Sequence, residues 1–353
     1  MIIFSHRLAN NREFSINKPS AMIAATANRS TVMDKIVTLQ TPGGIEQLQV
    51  LERTPKQPGP DEIRIRHEAI GMNFLDIYHR KGIYPLPAYP AVLGVEGAGI
   101  VEAVGTGVIE LKPGDRVAYA GAIGAYAATR LLPAARAIRL PDEIPSRVAA
   151  ASMLKGMTAY MLLTQTYTVG PGTIVLVHAA AGGLGSILVR WAKHLGATII
   201  GTVSSQEKAG LAVKHGADHV IVGRDADVVG EVKRLTGGRG VDAAYDGIGG
   251  SMLSKTIQCV RPFGVAATIG QAGGPIPPVS VEELRPGKAL THPSIMAYIA
   301  DGENYAAAAK ATIEMTQSGI AATIAGEYAL ADAAKAQQFL ENGGAAGSLI
   351  LVP

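Results

Sequence analysis

From Met33 to about Lys155, apolar and polar positions alternate in short runs such as EIRIRHEAIGMN, GVEGAGIVEAVG and KPGDRVAYA, separated by Gly and Pro turns. A period of two over runs of this length predicts β-strands with one buried face. After about Gly170 the rhythm changes. TIVLVHA is a continuous apolar run, as expected of a strand buried on both faces of a parallel sheet. LGSILVRWAKHLG follows, with Leu184, Leu188, Trp191, Ala192 and Leu195 on one helical face and Gly196 as a stop signal. ATIIGTV, ADHVIVG, GVDAAYDGIGG and RPFGVAATIG supply four more strand candidates between helical or loop spacers. This alternation predicts an α/β chain with right-handed βαβ units in a doubly wound parallel sheet. After about Ala300 come two helical patterns and a terminal strand, GSLILVP, expected to return to the first domain.

At 353 residues the chain is long enough for two cores. The longest apolar region, around Ile174 to Val189, is interrupted by His178 and a glycine cluster, so no segment reads as membrane-spanning. Arg7, Arg12, Lys18 and Arg29 against Glu13 alone place the whole net charge of +3 in residues 1–32. The remaining body is formally neutral and has no electrostatic basis for binding nucleic acid. Residues 1–32 lack a clear period and are rich in Asn, Ser and Ala. They are expected to be an unstructured extension or the product of an upstream start, with an organelle-type targeting segment as the alternative. The single cysteine, Cys259, excludes a disulfide framework, and its apolar surroundings in TIQCVRPFG predict a buried, inert thiol. That usage suits a reducing compartment, and a cytoplasmic location is expected.

The chemistry begins at VLVHAAAGGLG, where Ala180, Gly182 and Gly185 occupy the positions of a G-x-G-x-x-G turn. The turn lies between a buried strand and an amphipathic helix, the context that dinucleotide binding requires. Ala180, Ala181, Gly182, Gly183, Leu184 and Gly185 are therefore the candidate pyrophosphate cradle, with the helix N-terminus facing the anion. The next strand ends in GTVSSQEK. Val203 stands where an NAD enzyme carries an acid for the ribose hydroxyls, and Ser204, Ser205 and Lys208 offer donors and a cation suited to a 2′-phosphate. NADPH is expected over NADH.

Taken together, AIGMNFLDIYHRKGIYP, GVEGAGIVEAVGTGV, KPGDRVAY, GAYA, SMLKGMTAYMLL, VHAAAGGLG and YDGIGG resemble the zinc-independent quinone oxidoreductase/ζ-crystallin family of the medium-chain dehydrogenase/reductase superfamily. The resemblance runs from Met33 to Pro353. It implies a GroES-like catalytic β domain over 33–155, a Rossmann domain over 156–300, a return to the first domain over 301–353, and a cleft between the domains. Zinc-dependent relatives carry a Cys on the AIGMN segment and a His in a GHE turn. Here Asn73 and Val95 stand at those positions, and Glu96 keeps only the acid. No zinc is expected. Lys155, near the place of a third ligand, is expected to contact the cofactor.

Chemistry agrees with the loss of the metal. An alcohol dehydrogenase must stabilise an alkoxide, whereas a reduced quinone keeps a phenol-like oxygen with a pKa of about 10. The resemblance implies that Asn73, Asp76, Tyr78 and Tyr84 give the cleft its polarity, and that Asp246, Gly247, Gly270 and Gln271 line the nicotinamide ribose and carboxamide. Two positions depart from the family pattern. Gly223 replaces a Tyr and Gly343 an Arg around the 2′-phosphate, leaving Arg224 as a replacement cation. The expectation is NADPH-dependent reduction of a small-molecule quinone by a homodimer, without nucleic-acid or membrane partners. Reduction of activated C=C bonds, as in enone or alkenal reductases, is the enzymatic alternative. A non-catalytic, crystallin-like NADPH-binding protein is the other.

Overall fold

The computed structural model describes residues 33–353, and the expectations placed on residues 1–32 lie outside the described residues. The alternating segment folds into strands β1 (Asp34–Leu39), β2 (Leu48–Arg53), β3 (Glu62–Gly71), β4 (Ala91–Val92), β5 (Glu96–Val104), β6 (Arg116–Ala120), β7 (Thr129–Pro133) and β8 (Ile138–Arg139). One short helix, α1 (Phe74–Arg80), interrupts them. In β3 the period of two is literal: Ile63 and Ile65 are fully buried, while Arg64 and Arg66 reach Glu102 on β5. Alternation stops at the end of β3, where both faces are covered. A Cβ added at Gly71 would lie 2.0 Å from the Ala150 carbonyl oxygen, so only glycine allows the helix that carries Ala150 to approach this closely.

That helix, α2 (Ser146–Met161), is buried along most of its length. It leads into β9 (Ile174–Val177), α3 (Gly183–His194), β10 (Thr198–Val203), α4 (Gln206–Lys214), β11 (His219–Val222), α5 (Val228–Leu235), β12 (Val241–Asp246), α6 (Met252–Cys259), β13 (Val260–Thr268) and β14 (Ala289–Thr291). The sheet is parallel in the order β11-β10-β9-β12-β13-β14, so strand order reverses at β9. In open sheets of this kind the crevice beyond the strand ends at the reversal is where ligands bind. The chain closes with α7 (Ile295–Tyr298), α8 (Gly302–Gln317), β15 (Ile324–Ala329), α9 (Ala333–Glu341) and β16 (Ser348–Val352). β16 pairs antiparallel with β3, matching Ile350 to Gly71.

An apolar core runs from β3, β5 and β6 into the parallel sheet, because α2 packs on those three strands and on α3. The expected boundary at Lys155 thus falls inside a continuous helix. For the same reason α3 buries more than one face: Ile187 and Val189 are as buried as Leu188. Cys259 is fully buried, and burial pushes its thiol up to about 12. Among the described residues no helix is long and apolar enough to cross a membrane.

Candidate active site

The base of α1 organises the first part of the site. Asn73 precedes the helix in extended conformation, and its backbone N–H donates to Asp76 Oδ2 at 2.9 Å. The Asn73 amide, free of that role, donates through Nδ2 to Glu96 Oε2 at 2.8 Å. Glu96 opens β5, is fully buried, and accepts the Leu154 backbone N–H on Oε1 at 2.8 Å. Lys155, one residue further along α2, places Nζ 3.4 Å from Glu96 Oε2 and 3.3 Å from the Met72 carbonyl. The donor set does not fit zinc: Val95 offers nothing, the Asn73 nitrogen is spent on Glu96, and an ammonium already faces the remaining carboxylate. Among the described residues no group of three His, Cys, Asp or Glu side chains is placed to hold a metal ion.

Asp76 is fully buried, so its carboxyl sits under the site rather than in it. Oδ2 also accepts the Tyr126 hydroxyl at 3.0 Å, while Oδ1 has no partner. Burial pushes this carboxyl up to about 7, against the pull of the Asn73 N–H, Tyr126 and Lys155. Tyr78 crosses instead to the parallel sheet, where its hydroxyl accepts the Gln271 N–H at 2.8 Å. A Cβ at Gly270 would lie 3.0 Å from that hydroxyl. Burial raises the Tyr78 pKa, so the phenol keeps its proton, and among the described residues nothing accepts it. Tyr84 packs edge-on against Tyr78, with ring centroids 5.4 Å apart.

The glycine turn lies at the end of β9. Gly182 precedes α3 in extended conformation and Gly183 starts the helix, so the first N–H groups point out of the turn without intrahelical acceptors. Ala180 and Ala181 are buried, and Leu184 is half-buried. A Cβ at Gly185 would come within 2.2 Å of the Ala179 carbonyl oxygen, a close approach that keeps the helix against the strand. A Cβ at Gly183 would meet Ser348 Oγ at 2.9 Å and Lys155 Cε at 3.1 Å, so the polar cluster and the turn adjoin. Ala179, with φ of +50°, holds a left-handed conformation at this turn. That conformation costs a non-glycine residue about 1–2 kcal/mol, the kind of strain that collects at binding turns.

Two further groups of candidates sit along the strand ends. Asp246 is fully buried at the end of β12 and accepts the Ile248 and Gly249 N–H groups on Oδ1 at 2.8 and 3.0 Å, shaping the turn that contains Gly247. Its Oδ2 accepts the Thr256 hydroxyl at 2.8 Å. With the Thr256 hydroxyl donating to Asp246, Thr256 Oγ1 accepts from His178 Nε2 at 3.0 Å, and His178 Nδ1 accepts from the Thr202 hydroxyl at 2.9 Å. Burial lowers the His178 pKa, so a neutral imidazole ties the ends of β9, β10 and β12 together. Ser205 caps α4 by accepting the Lys208 N–H at 3.3 Å, and Ser204 is exposed at the end of β10. Lys208 Nζ donates to the Gly343 carbonyl at 2.8 Å, with Arg224 close by.

Glu96, in the sequence pattern only a leftover acid, is the hub of the metal-free cluster. His178, there only an interruption in an apolar run, joins three strand ends. Thr202, Thr256 and Ser348 carry no sequence signal of their own, and the one available signal for the histidine is a polar residue at the end of a continuous apolar strand.

A parallel sheet in this order, a glycine turn at its reversal point and a mostly antiparallel β domain bearing a polar cluster against that turn define a two-domain oxidoreductase of the medium-chain dehydrogenase/reductase class. Residues 59–142 match the alcohol dehydrogenase GroES-like domain model, and residues 183–311 match the model described as zinc-binding dehydrogenase. The quinone oxidoreductase of Salmonella typhimurium is 42% identical over 317 residues, covering 88% of this chain and 97% of its own. The 2-haloacrylate reductase of a Burkholderia species is 42% identical over 306 residues, covering 84% and 92%. Escherichia coli quinone oxidoreductase in complex with NADPH superposes with a TM-score of 0.87 at 40% identity, covering 90% of this chain and all of the other. Within its class, the chain belongs to the quinone oxidoreductases.

Proposed function

We propose that the chain reduces quinones with NADPH where α1 meets the end of β13, as a homodimer, and in the cytoplasm, a reducing setting that the lone buried Cys259 suits. The observation that carries this reading is the Tyr78 hydroxyl, which receives the Gln271 N–H at 2.8 Å and so keeps its own proton for an acceptor oxygen. Gly182, Gly183 and Gly185 give the backbone room for a pyrophosphate, with Ala180, Ala181 and Leu184 shaping the turn and the α3 N-terminus facing the anion. Ser204, Ser205 and Lys208 take the 2′-phosphate. The loops holding Asp246, Gly247, Gly270 and Gln271 receive the nicotinamide ribose and carboxamide, and Lys155 adjoins the turn at Gly183.

NADPH, when bound, supplies the hydride. The chain's own part is positioning: Tyr84 stacks edge-on to hold Tyr78, and Asn73, tied to Glu96, presents a polar but uncharged floor. Tyr78 donates a hydrogen bond to a quinone oxygen, which becomes phenol-like on reduction. A phenolate at a pKa of about 10 needs no Lewis acid at neutral pH. The similarity to a haloacrylate reductase supports a second reading, reduction of an electron-poor C=C bond at the same place.

Oxidation of NADPH against benzoquinone, naphthoquinone, phenanthrenequinone, an enone and an aldehyde separates the two. Turnover of quinones is expected, with Tyr78→Phe losing about fivefold to tenfold in kcat/KM through a hydrogen bond worth about 1 kcal/mol. Turnover of the enone without any quinone refutes the first reading in favour of the second.

A further inference from the structure

Two positions that resemble phosphate-binding sites in the family carry glycine here, and the backbone shows why. Gly223 leaves β11 at φ +116° and Gly343 follows α9 at φ +72°, both left-handed conformations that larger side chains rarely adopt. At Gly343 the cause is a helix-ending turn: its N–H donates to the Leu340 carbonyl at 3.0 Å, and the Gly344 N–H donates to that of Phe339 at 3.1 Å. The end of α9 is itself held in place, because Glu341 pairs with buried Arg80 at 2.5 Å and also with Lys81.

Two cations converge on this fixed glycine. Lys208 Nζ, from α4, donates to the Gly343 carbonyl at 2.8 Å. Arg224 Nη2, from the loop after β11, lies 3.5 Å from where a Gly343 Cβ would stand, in space that a side chain there would contest. Among the described residues neither Lys208 nor Arg224 makes an ion pair with a carboxylate. Like charges brought to one place without an acid between them repel, and an anion relieves that repulsion. The α4 N-terminus, capped by Ser205 and following exposed Ser204, opens beside them.

We propose that Arg224 is the second cation of the 2′-phosphate pocket and a determinant of NADPH over NADH, replacing the side chains that Gly223 and Gly343 lack. This rests on the NADPH reading above. A phosphate monoester carries nearly two charges, of which Lys208 neutralises one. The planar guanidinium adds paired N–H donors matched to phosphate oxygens.

Titration calorimetry of the full chain with adenosine 2′,5′-bisphosphate and with adenosine 5′-monophosphate tests this. The bisphosphate should bind at least about tenfold more tightly to the wild type. Arg224→Gln, an exposed substitution, should remove about tenfold of bisphosphate affinity, leave the monophosphate within about twofold, and lower the NADPH to NADH ratio of kcat/KM by the same factor. Arg224→Lys should restore part of it. An unchanged bisphosphate affinity in Arg224→Gln, with the preference abolished in Lys208→Gln, overturns the proposal and assigns the pocket to Lys208 alone. A wild type that does not distinguish the two nucleotides overturns the NADPH reading, and the proposal falls with it.

Discussion

Replacing Lys155 by Met isolates the electrostatics of the metal-free cluster. The Lys155 side chain is 10% exposed and that of Glu96 0%, so the pair is almost entirely out of water. Removing one partner of a buried ion pair costs about 3–5 kcal/mol, because the other charge stays behind unpaired. Glu96 would keep the Asn73 Nδ2 and Leu154 N–H donors, both at 2.8 Å, and Met would keep the apolar stem against Gly183. The lower end, about 3 kcal/mol, is therefore expected. The assay is urea denaturation followed by circular dichroism on wild type, Lys155→Met, Glu96→Gln and the double variant. The double variant leaves no charge in the cluster and should be more stable than the sum of the single losses by about 1–3 kcal/mol. Additive losses, or a Lys155→Met effect below about 0.5 kcal/mol, would show that the ammonium does not neutralise Glu96 and refute the reasoning.

Asp76 gives a pH dependence of definite sign. Its carboxyl holds its proton up to about 7 in the fold against 3.8 for an ordinary aspartate, so from pH 4 to 7 only the unfolded chain gains the charge. Stability therefore falls as pH rises through that window and is level above it, the loss reaching at most about 4 kcal/mol at about 1.36 kcal/mol per pH unit. Asp76→Asn should flatten the difference between denaturation midpoints at pH 4.5 and pH 7.5, and an identical slope in both proteins would contradict the burial argument. Cys259, with its thiol pushed up to about 12 and fully buried, should react with an aromatic disulfide reagent at pH 8 only as fast as the chain unfolds. Prompt release of one equivalent of thiolate from the native chain would overturn that placement.

Much of the parallel sheet is legible in the apolar runs alone, because a strand buried on both faces must be apolar throughout, as TIVLVHA and ATIIGTV are. The same logic misses β14, three residues at the sheet edge with Ala289 exposed, and β15, where Gly326 on the inner face and Ala325 and Ala329 on the outer one blur the alternation. α2 is legible as a motif but not as a helix joining both halves. Its apolar residues surround the whole helix, and that pattern becomes meaningful only when β3, β5, β6 and α3 are found on its sides.

The site divides along a similar line. The glycine turn is local chemistry, with strand, turn and helix N-terminus contiguous in sequence, so Gly182, Gly183 and Gly185 can be read directly. Contacts between distant segments cannot. Asn73 and Glu96 are 23 residues apart, Glu96 and Lys155 59, and Lys208 and Gly343 135. No periodicity records such separations. Sequence by itself determined which residue types were available: an amide and a valine in place of metal ligands, a lysine at 208, and glycines at 223 and 343. Only the tertiary structure decided that the lysine of α2 would neutralise the buried acid of β5, and that Lys208 and Arg224 would meet over the end of α9. Burial and charge pairing depend on which segments pack together, and packing is a property of the whole fold.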